Sequence, residues 1–309
     1  AAKAATMEGD SAVTIIAVMY LVAFALKAAA FPLNAWLPAS YHTPKLVVSG
    51  LFGGLLTKIG IYALLRVLVM LFPVERMELG WVIAVLAAGT MVFGVLGALA
   101  QNDTRRAVGF LVISGIGMML AGIALGSPSG LAGAILYSAH SMVVMTAIYF
   151  AAGIGGRVSG SFLLSRSGGI YASHLVLAFT TLALFLSMAG LPPFSGLWPK
   201  VMLVKAALDV GEWWLAGTIL VTGFLTTITV GRIWALAYWK PRAAGADPLE
   251  PESQKVPMSS VIGLGMLTVL TVVFGLWPEP LIAISQDAAR GLIDTSSYVL
   301  SVFPGEVPQ

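Results

Sequence analysis

The chain has 309 residues, of which 58% are hydrophobic and only 10% are charged. It contains no cysteine, which excludes disulfide bonds, thiolate metal sites and cysteine-held iron–sulfur clusters. The formal charge of +3 is small and no basic tract is present, so nucleic acid is not an expected partner.

Apolar runs of about 20 residues, the length that crosses a hydrocarbon core, recur along the sequence. They predict an all-α polytopic membrane protein with about eight transmembrane helices. The predicted spans are 12–31, 48–72, 81–100, 107–126, 130–154, 174–208, 213–238 and 258–277. The chain then divides into an external loop at 1–11, a transmembrane domain at 12–278 and an amphipathic interfacial segment at 279–309.

Two of the apolar runs contain helix-breaking residues and are predicted to be broken helices. Pro32, Pro38 and Pro44 interrupt the first near 28–45, and the sequence "GLPPFSGLWPK" interrupts the second near 190–199. Irregular backbone at membrane depth is tolerated only inside protein or beside a watery cavity. Because transporters place ion sites at such interruptions, the two breaks indicate a transport path.

Loop charges orient the chain if 174–208 crosses the membrane once. One side then carries most of the basic loop residues, namely Lys45, Arg105, Arg106, Arg157, Arg166, Lys240, Arg242 and Lys255. The other side carries only Lys3, Arg76 and Arg290. The positive-inside rule therefore places both chain ends outside and the richer side in the cytoplasm.

Four titratable groups inside the apolar runs are candidates for a proton path: Lys27, Lys58, His140 and Lys200. A charge near the bilayer centre costs about 2.5–3.5 kcal/mol, so such groups usually mark ion pathways. The alternatives are snorkelling for each lysine and a satisfied packing role for His140. Lys205 lies one turn from Asp209, which favours snorkelling there. No carboxylate lies within a predicted span.

Three stretches carry a family resemblance: "FALKAAAFPLNAWLPASYHTP", "LFGGLLTKIGIYALLR" and "LSMAGLPPFSGLWPKVMLVKA". They resemble the antiporter-like subunits shared by Mrp cation/proton antiporters, respiratory complex I and membrane-bound hydrogenases. The ending "AARGLIDTSSYVLSVF" is most similar to the D subunit of Mrp-type antiporters. The resemblance covers essentially the whole chain but only the later part of the family's pattern.

The resemblance also implies residue roles. Lys27 matches the lysine of the first broken helix, whose glutamate partner lies on an earlier helix in the family. Lys58 matches the lysine that links the two half-channels, His140 a relay position on the central axis, and Lys200 the terminal lysine. Two positions depart from the pattern: Met145 stands where many relatives carry a further relay lysine, and the charged Lys45 stands where relatives tend to have an uncharged residue.

The resemblance implies a transporter subunit rather than an enzyme, multi-pass in a bacterial inner membrane. It would exchange Na⁺ or another monovalent cation for protons, with other membrane subunits and lipid as partners and no metal or organic cofactor. One alternative is a proton-pumping membrane-arm subunit of respiratory complex I or a hydrogenase, which iron–sulfur partner subunits would distinguish. Another is an assembly scaffold without transport of its own.

Overall fold

A computed structural model describes residues 11–44, 46–241, 256–296, 298 and 300. Four sequence-based interpretations lie wholly or mostly outside these residues. They concern Lys45, the predicted external loop 1–11, the Pro-rich polar stretch 241–256, whose composition predicts a cytoplasmic loop, and the final part of the segment 279–309.

The described residues form helices, and the only β-bridge among them is an isolated pair between Asp103 and Leu163. The all-α prediction is confirmed. In chain order the helices are α1 Ser11–Ala28, α2 Trp36–Tyr41, α3 Leu46–Leu71, α4 Pro73–Glu78, α5 Gly80–Ala100, α6 Thr104–Leu125, α7 Pro128–Ser159, α8 Ile170–Ser173, α9 Leu175–Ala189, α10 Leu197–Asp209, α11 Trp213–Trp239, α12 Met258–Leu276 and α13 Glu279–Ile293. Helix α3 contains two π-helical stretches, Phe52–Leu56 and Leu65–Leu71, and α11 ends in a third, Ala235–Trp239.

Among the described helices, six are long and apolar enough to cross a membrane: α3, α5, α6, α7, α11 and α12. Two further apolar helices, Ala12–Ala28 and Leu175–Ala189, are shorter. These two belong to the predicted spans 12–31 and 174–208, both of which were expected to be broken. The total of about eight crossings remains a prediction, whereas a multi-pass membrane fold is established.

The two ends of the bundle can be told apart by contacts between loops. At one end, Gly169 N donates to Lys240 O at 2.8 Å, and Thr104 N donates to Phe162 O at 3.0 Å. We call this the basic end, because Arg105, Arg106, Arg157, Arg166 and Lys240 lie there. At the opposite end, Arg76, Leu125 and Val210 line a common cavity of about 260 Å³.

This division settles how the broken segment 174–208 is threaded. Its first half, α9, begins near the basic end, where the Tyr171 and Trp239 rings stack 6.3 Å apart. Its second half, α10, leads to Val210 at the opposite end. The two halves together cross the bundle once, which is the condition under which the loop charges orient the chain.

Helix α6 is the most buried of the six long apolar helices. Of its most hydrophobic 18-residue stretch, 83% is buried inside the bundle. Glycines allow its closest contacts: a Cβ at Gly94 of α5 would lie 2.4 Å from Ser114 N, and one at Gly117 would lie 2.6 Å from Met91 N. Asp103 caps the start of α6 by accepting from the backbone N–H groups of Arg105 and Arg106, a role that aspartate favours immediately before a helix.

The C-terminal helix α13 is amphipathic. It packs on α7 and buries Ser285, Ala289 and Leu292, while Ile284 and the ion pair between Arg290 and Asp287 are exposed. The structure therefore agrees with the helix predicted after 279. Its position at the bilayer interface remains a prediction.

Candidate proton path

The first break begins at the C-terminus of α1, one residue after Lys27. Ala29 adopts φ 63°, which ends the helix and leaves backbone carbonyl groups without helical partners. The indole N–H of Trp36 donates to Leu26 O at 3.0 Å, and Phe31 N donates to Thr90 Oγ1 at 2.9 Å. The break is therefore stabilised by hydrogen bonds within the chain.

Lys27 itself lies on the outside of the chain. Its side chain is exposed, and no hydrogen bond or ion pair joins it to another described residue. The surrounding surface of α1 and α3 is apolar, with Met19, Tyr62 and Leu26 among its exposed side chains. The structure does not bring Lys27 together with the other predicted path residues.

Lys58 is the most enclosed of the predicted residues, with 2% of its surface exposed. Its ammonium donates to Gly53 O at 2.6 Å, within a π-helical stretch of α3. Two glycines in that stretch let α3 approach α7 closely, because a Cβ at Gly53 would lie 2.4 Å from Tyr149 and one at Gly54 would lie 2.2 Å from Thr146 Oγ1. Lys58 is therefore held at membrane depth by a carbonyl oxygen and does not snorkel.

His140 lies in the middle of α7 and is also buried. Its Nδ1 is 2.8 Å from Ser195 Oγ, and Ser195 Oγ is 3.2 Å from Ser187 Oγ. Gly196 makes this approach possible, because a Cβ there would lie 1.8 Å from Ser187 O and 3.0 Å from the His140 ring. The second break thus brings two serine hydroxyl groups to the histidine.

Lys200 lies in the first turn of α10 and folds back onto α9. Its ammonium donates to Met188 O at 3.0 Å and to Ala189 O at 2.5 Å. These are carbonyl groups at the C-terminal end of α9, where the helix dipole is negative. Gly190 has φ +84° and sits under the lysine, since a Cβ there would lie 2.6 Å from Lys200 Cδ.

The structure therefore joins His140 and Lys200 through one broken-helix loop. Lys205 makes an exposed ion pair with Asp209 at 2.6 Å and does not join the other predicted path residues. Met145 is buried in the apolar core.

Ser187 and Ser195 are functional candidates that were not predicted from the sequence. A serine in an apolar helix usually bonds to its own backbone, so neither residue is conspicuous by type. The available signal was their position, since both flank the break in "LSMAGLPPFSG". Three more buried hydroxyl groups, those of Thr57, Ser141 and Tyr149, have no hydrogen-bond partner among the described residues.

Taken together, the fold and this arrangement define a class of protein: a polytopic helical membrane protein with buried basic groups held on the carbonyl groups of interrupted helices. A comparison of the sequence with known protein families also identifies a membrane protein. The family described as "NADH:quinone oxidoreductase/Mrp antiporter, TM" matches residues 2–226, and the chain belongs to this family.

Two relatives are similar over nearly the whole chain. One is the D subunit of the Na(+)/H(+) antiporter of Alkalihalophilus pseudofirmus, 35% identical over 302 residues, covering 98% of this chain and 60% of the relative. The other is the equivalent D subunit from Bacillus subtilis, 32% identical over 290 residues, covering 94% and 58%. The chain thus spans about three-fifths of the length of the curated relatives that it matches.

Solved structures agree on the fold. A chain of the Mrp complex from a Dietzia species superposes with a TM-score of 0.87 at 29% identity, covering 96% of this chain and 62% of that one. A chain of respiratory complex I from Thermus thermophilus superposes with a TM-score of 0.77 at 24% identity, covering 90% and 59%. At that identity the second likeness supports the fold alone.

Proposed function

We propose that the chain is a proton-translocating part of the D subunit in a multi-subunit antiporter. The antiporter would exchange Na⁺ or another monovalent cation for protons across a bacterial inner membrane, as a transporter and not as an enzyme. Its partners would be the other membrane subunits of that complex. The named relatives and the Mrp complex structure support this proposal over a redox-driven pump or a scaffold.

One observation carries the proposal: the buried Lys58, the half-buried Lys200 and the buried His140 are bonded to neutral groups within the helical bundle. Lys58 bonds to Gly53 O, Lys200 bonds to Met188 O and Ala189 O, and His140 bonds to Ser195. Carbonyl oxygens stabilise the ammonium form, whereas desolvation disfavours it. Because these effects oppose each other, a small change in hydration can load or unload a proton.

Bound water would complete the path between Lys58 and His140. Met145 offers no proton at the position where many relatives carry a lysine, so the link needs another group. The partnerless hydroxyl groups of Thr57, Ser141 and Tyr149 lie on α3 and α7, the helices that carry Lys58 and His140. Buried hydroxyl groups of this kind are normally satisfied by ordered water.

Lys27 would need an acidic partner from outside the described residues. An exposed ammonium on an apolar surface is costly in lipid unless it is paired, and none of the described membrane-spanning segments carries a carboxylate. We propose that a carboxylate from another part of the complex, or of a longer chain, reaches Lys27 directly or through one water. The path would then continue through Lys58, His140 and Lys200.

Transport assays on Lys200→Ala in the whole complex, in inside-out membrane vesicles, test the proposal. Proton-coupled cation exchange should be lost while the complex still co-purifies intact. Lys205→Ala is the matched control, because it removes an exposed lysine from the same helix and should leave transport unchanged. Wild-type exchange by Lys200→Ala would overturn the assignment of Lys200 to the path.

A further inference from the structure

Two serine hydroxyl groups at the second break form a hydrogen-bonded chain that starts at His140. Ser195 Oγ lies 2.8 Å from His140 Nδ1 and 3.2 Å from Ser187 Oγ. Ser187 directly precedes Met188, whose carbonyl accepts from Lys200 at 3.0 Å. Ser195 is therefore placed between the histidine and the lysine of the proposed path.

We propose that Ser195 is a proton-relay residue between His140 and Lys200, and that helix α12 positions it. This inference rests on the proposed function. In the relay, the Ser195 O–H bond breaks as its proton passes to His140 Nδ1, and a proton from Ser187 Oγ restores that bond. Ser187 recovers its own proton from a water molecule, which the Lys200 ammonium reprotonates in turn. The net result is a neutral amine, an imidazolium and two unchanged hydroxyl groups.

A hydroxyl group is suited to this position because it donates and accepts at once. When His140 Nδ1 carries no proton, Ser195 donates to it. When Nδ1 is protonated, the bond reverses and Ser195 accepts. The relay can therefore run in either direction, as exchange across the membrane requires.

The loop that carries Ser195 packs closely against Gly275 of helix α12. A Cβ at Gly275 would lie 2.0 Å from Pro193 O and 2.6 Å from the carbonyl carbon of Phe194. The indole N–H of Trp198 donates to Gly275 O at 2.8 Å. Gly275 thus contacts the loop on both sides of Ser195, at Pro193 before it and at Trp198 after it.

The rest of α12 makes few close contacts. Only 17% of its most hydrophobic 18-residue stretch is buried. A Cβ added at Gly263 or Gly265 would meet no atom within 4 Å. Because Gly275 is crowded and Gly265 is not, the two positions separate an effect on the loop from a general effect on the helix.

The first experiment measures proton-coupled exchange by the whole complex in vesicles carrying Ser195→Ala, with Ser195→Thr as the hydroxyl-retaining variant. We expect Ser195→Ala to slow exchange at least about tenfold, a modest share of what a positioned proton-transfer group contributes. Ser195→Thr should recover part of the rate. In the His140→Ala background, adding Ser195→Ala should cause little further loss, since both changes act on one step.

The second experiment compares Gly275→Val with Gly265→Val. The first should slow exchange and the second should not, and Gly275→Val should add little to Ser195→Ala. A purely structural role for Gly275 would instead lower the yield of assembled complex and add to the loss caused by Ser195→Ala.

The outcomes separate the two proposals. Wild-type exchange by Ser195→Ala, while His140→Ala and Lys200→Ala are inactive, would overturn the relay and leave the proposed path standing. Wild-type exchange by His140→Ala and Lys200→Ala would overturn the proposed function itself. Equal slowing by Gly275→Val and Gly265→Val would overturn the positioning role of α12.

Discussion

At both breaks a tryptophan indole donates to a backbone carbonyl, Trp36 to Leu26 O and Trp198 to Gly275 O. The two breaks differ in what surrounds their lysine. Lys200 is folded onto two carbonyl groups of its own chain, beside a serine-bonded histidine. Lys27 is exposed and has no hydrogen bond to another described residue. We therefore expect one half of the proposed path to be assembled within this chain and the other to be completed by a neighbour.

The largest effect on exchange is expected from removing His140, which lies in the half of the path that this chain assembles. His140→Ala should slow exchange by on the order of 10²-fold, the contribution expected of a positioned acid–base group. Met145→Leu is the matched control on the same helix, because it conserves volume and apolar character in a buried position. A His140→Ala complex that exchanges ions as fast as Met145→Leu would show that the path bypasses His140.

Chemical labelling of a thiol at position 27 can test whether a neighbour covers Lys27. The chain has no cysteine, so Lys27→Cys introduces the only thiol in it. If a neighbour covers this surface, a membrane-permeant maleimide should label Lys27→Cys in the intact complex far more slowly than it labels the exposed Lys205→Cys. We expect about a tenfold difference, since thiol reactivity follows exposure. Equal labelling of the two thiols in the complex would remove the basis for an external partner of Lys27.

A smaller effect should follow from adding a methyl group beneath Lys200. Gly190→Ala and Gly211→Ala both place alanine at positive φ, +84° and +80°, at a cost of roughly 1–2 kcal/mol. Only the methyl at 190 would meet the lysine, because nothing lies within 4 Å of Gly211. The melting temperatures of the two complexes should fall similarly, while exchange slows severalfold in Gly190→Ala alone. Equal exchange rates in the two variants would show that close packing of Gly190 against Lys200 is not needed for exchange.

Much of this architecture follows from local sequence. Proline and glycine positions predict where α1 and the segment 174–208 break, and Asp103 predicts the start of α6. The depth of Lys58 and Lys200 also follows from the apolar runs around them. Local pattern could not predict the π-helical turn that presents Gly53 O to Lys58, because the pair Gly53 and Gly54 fits either helix type.

Side-chain neighbours were beyond the reach of the sequence. Ser187 and Ser195 meet His140 only because Gly196 lets two backbone segments approach, and that contact depends on the tertiary fold. The exposure of Lys27 is likewise a property of which helices pack around α1. Its position within an apolar run is the same whether the side chain faces the bundle or a neighbour.

The absence of a carboxylate from the described membrane-spanning segments has a consequence for ion selectivity. Na⁺ binds hard oxygen ligands and needs compensating negative charge once its water is stripped away. Lys58, Lys200 and His140 carry only positive or neutral forms, and the described residues hold no acidic cluster that could bind a metal ion. We expect the positive charge of these side chains to repel Na⁺ while protons pass along them.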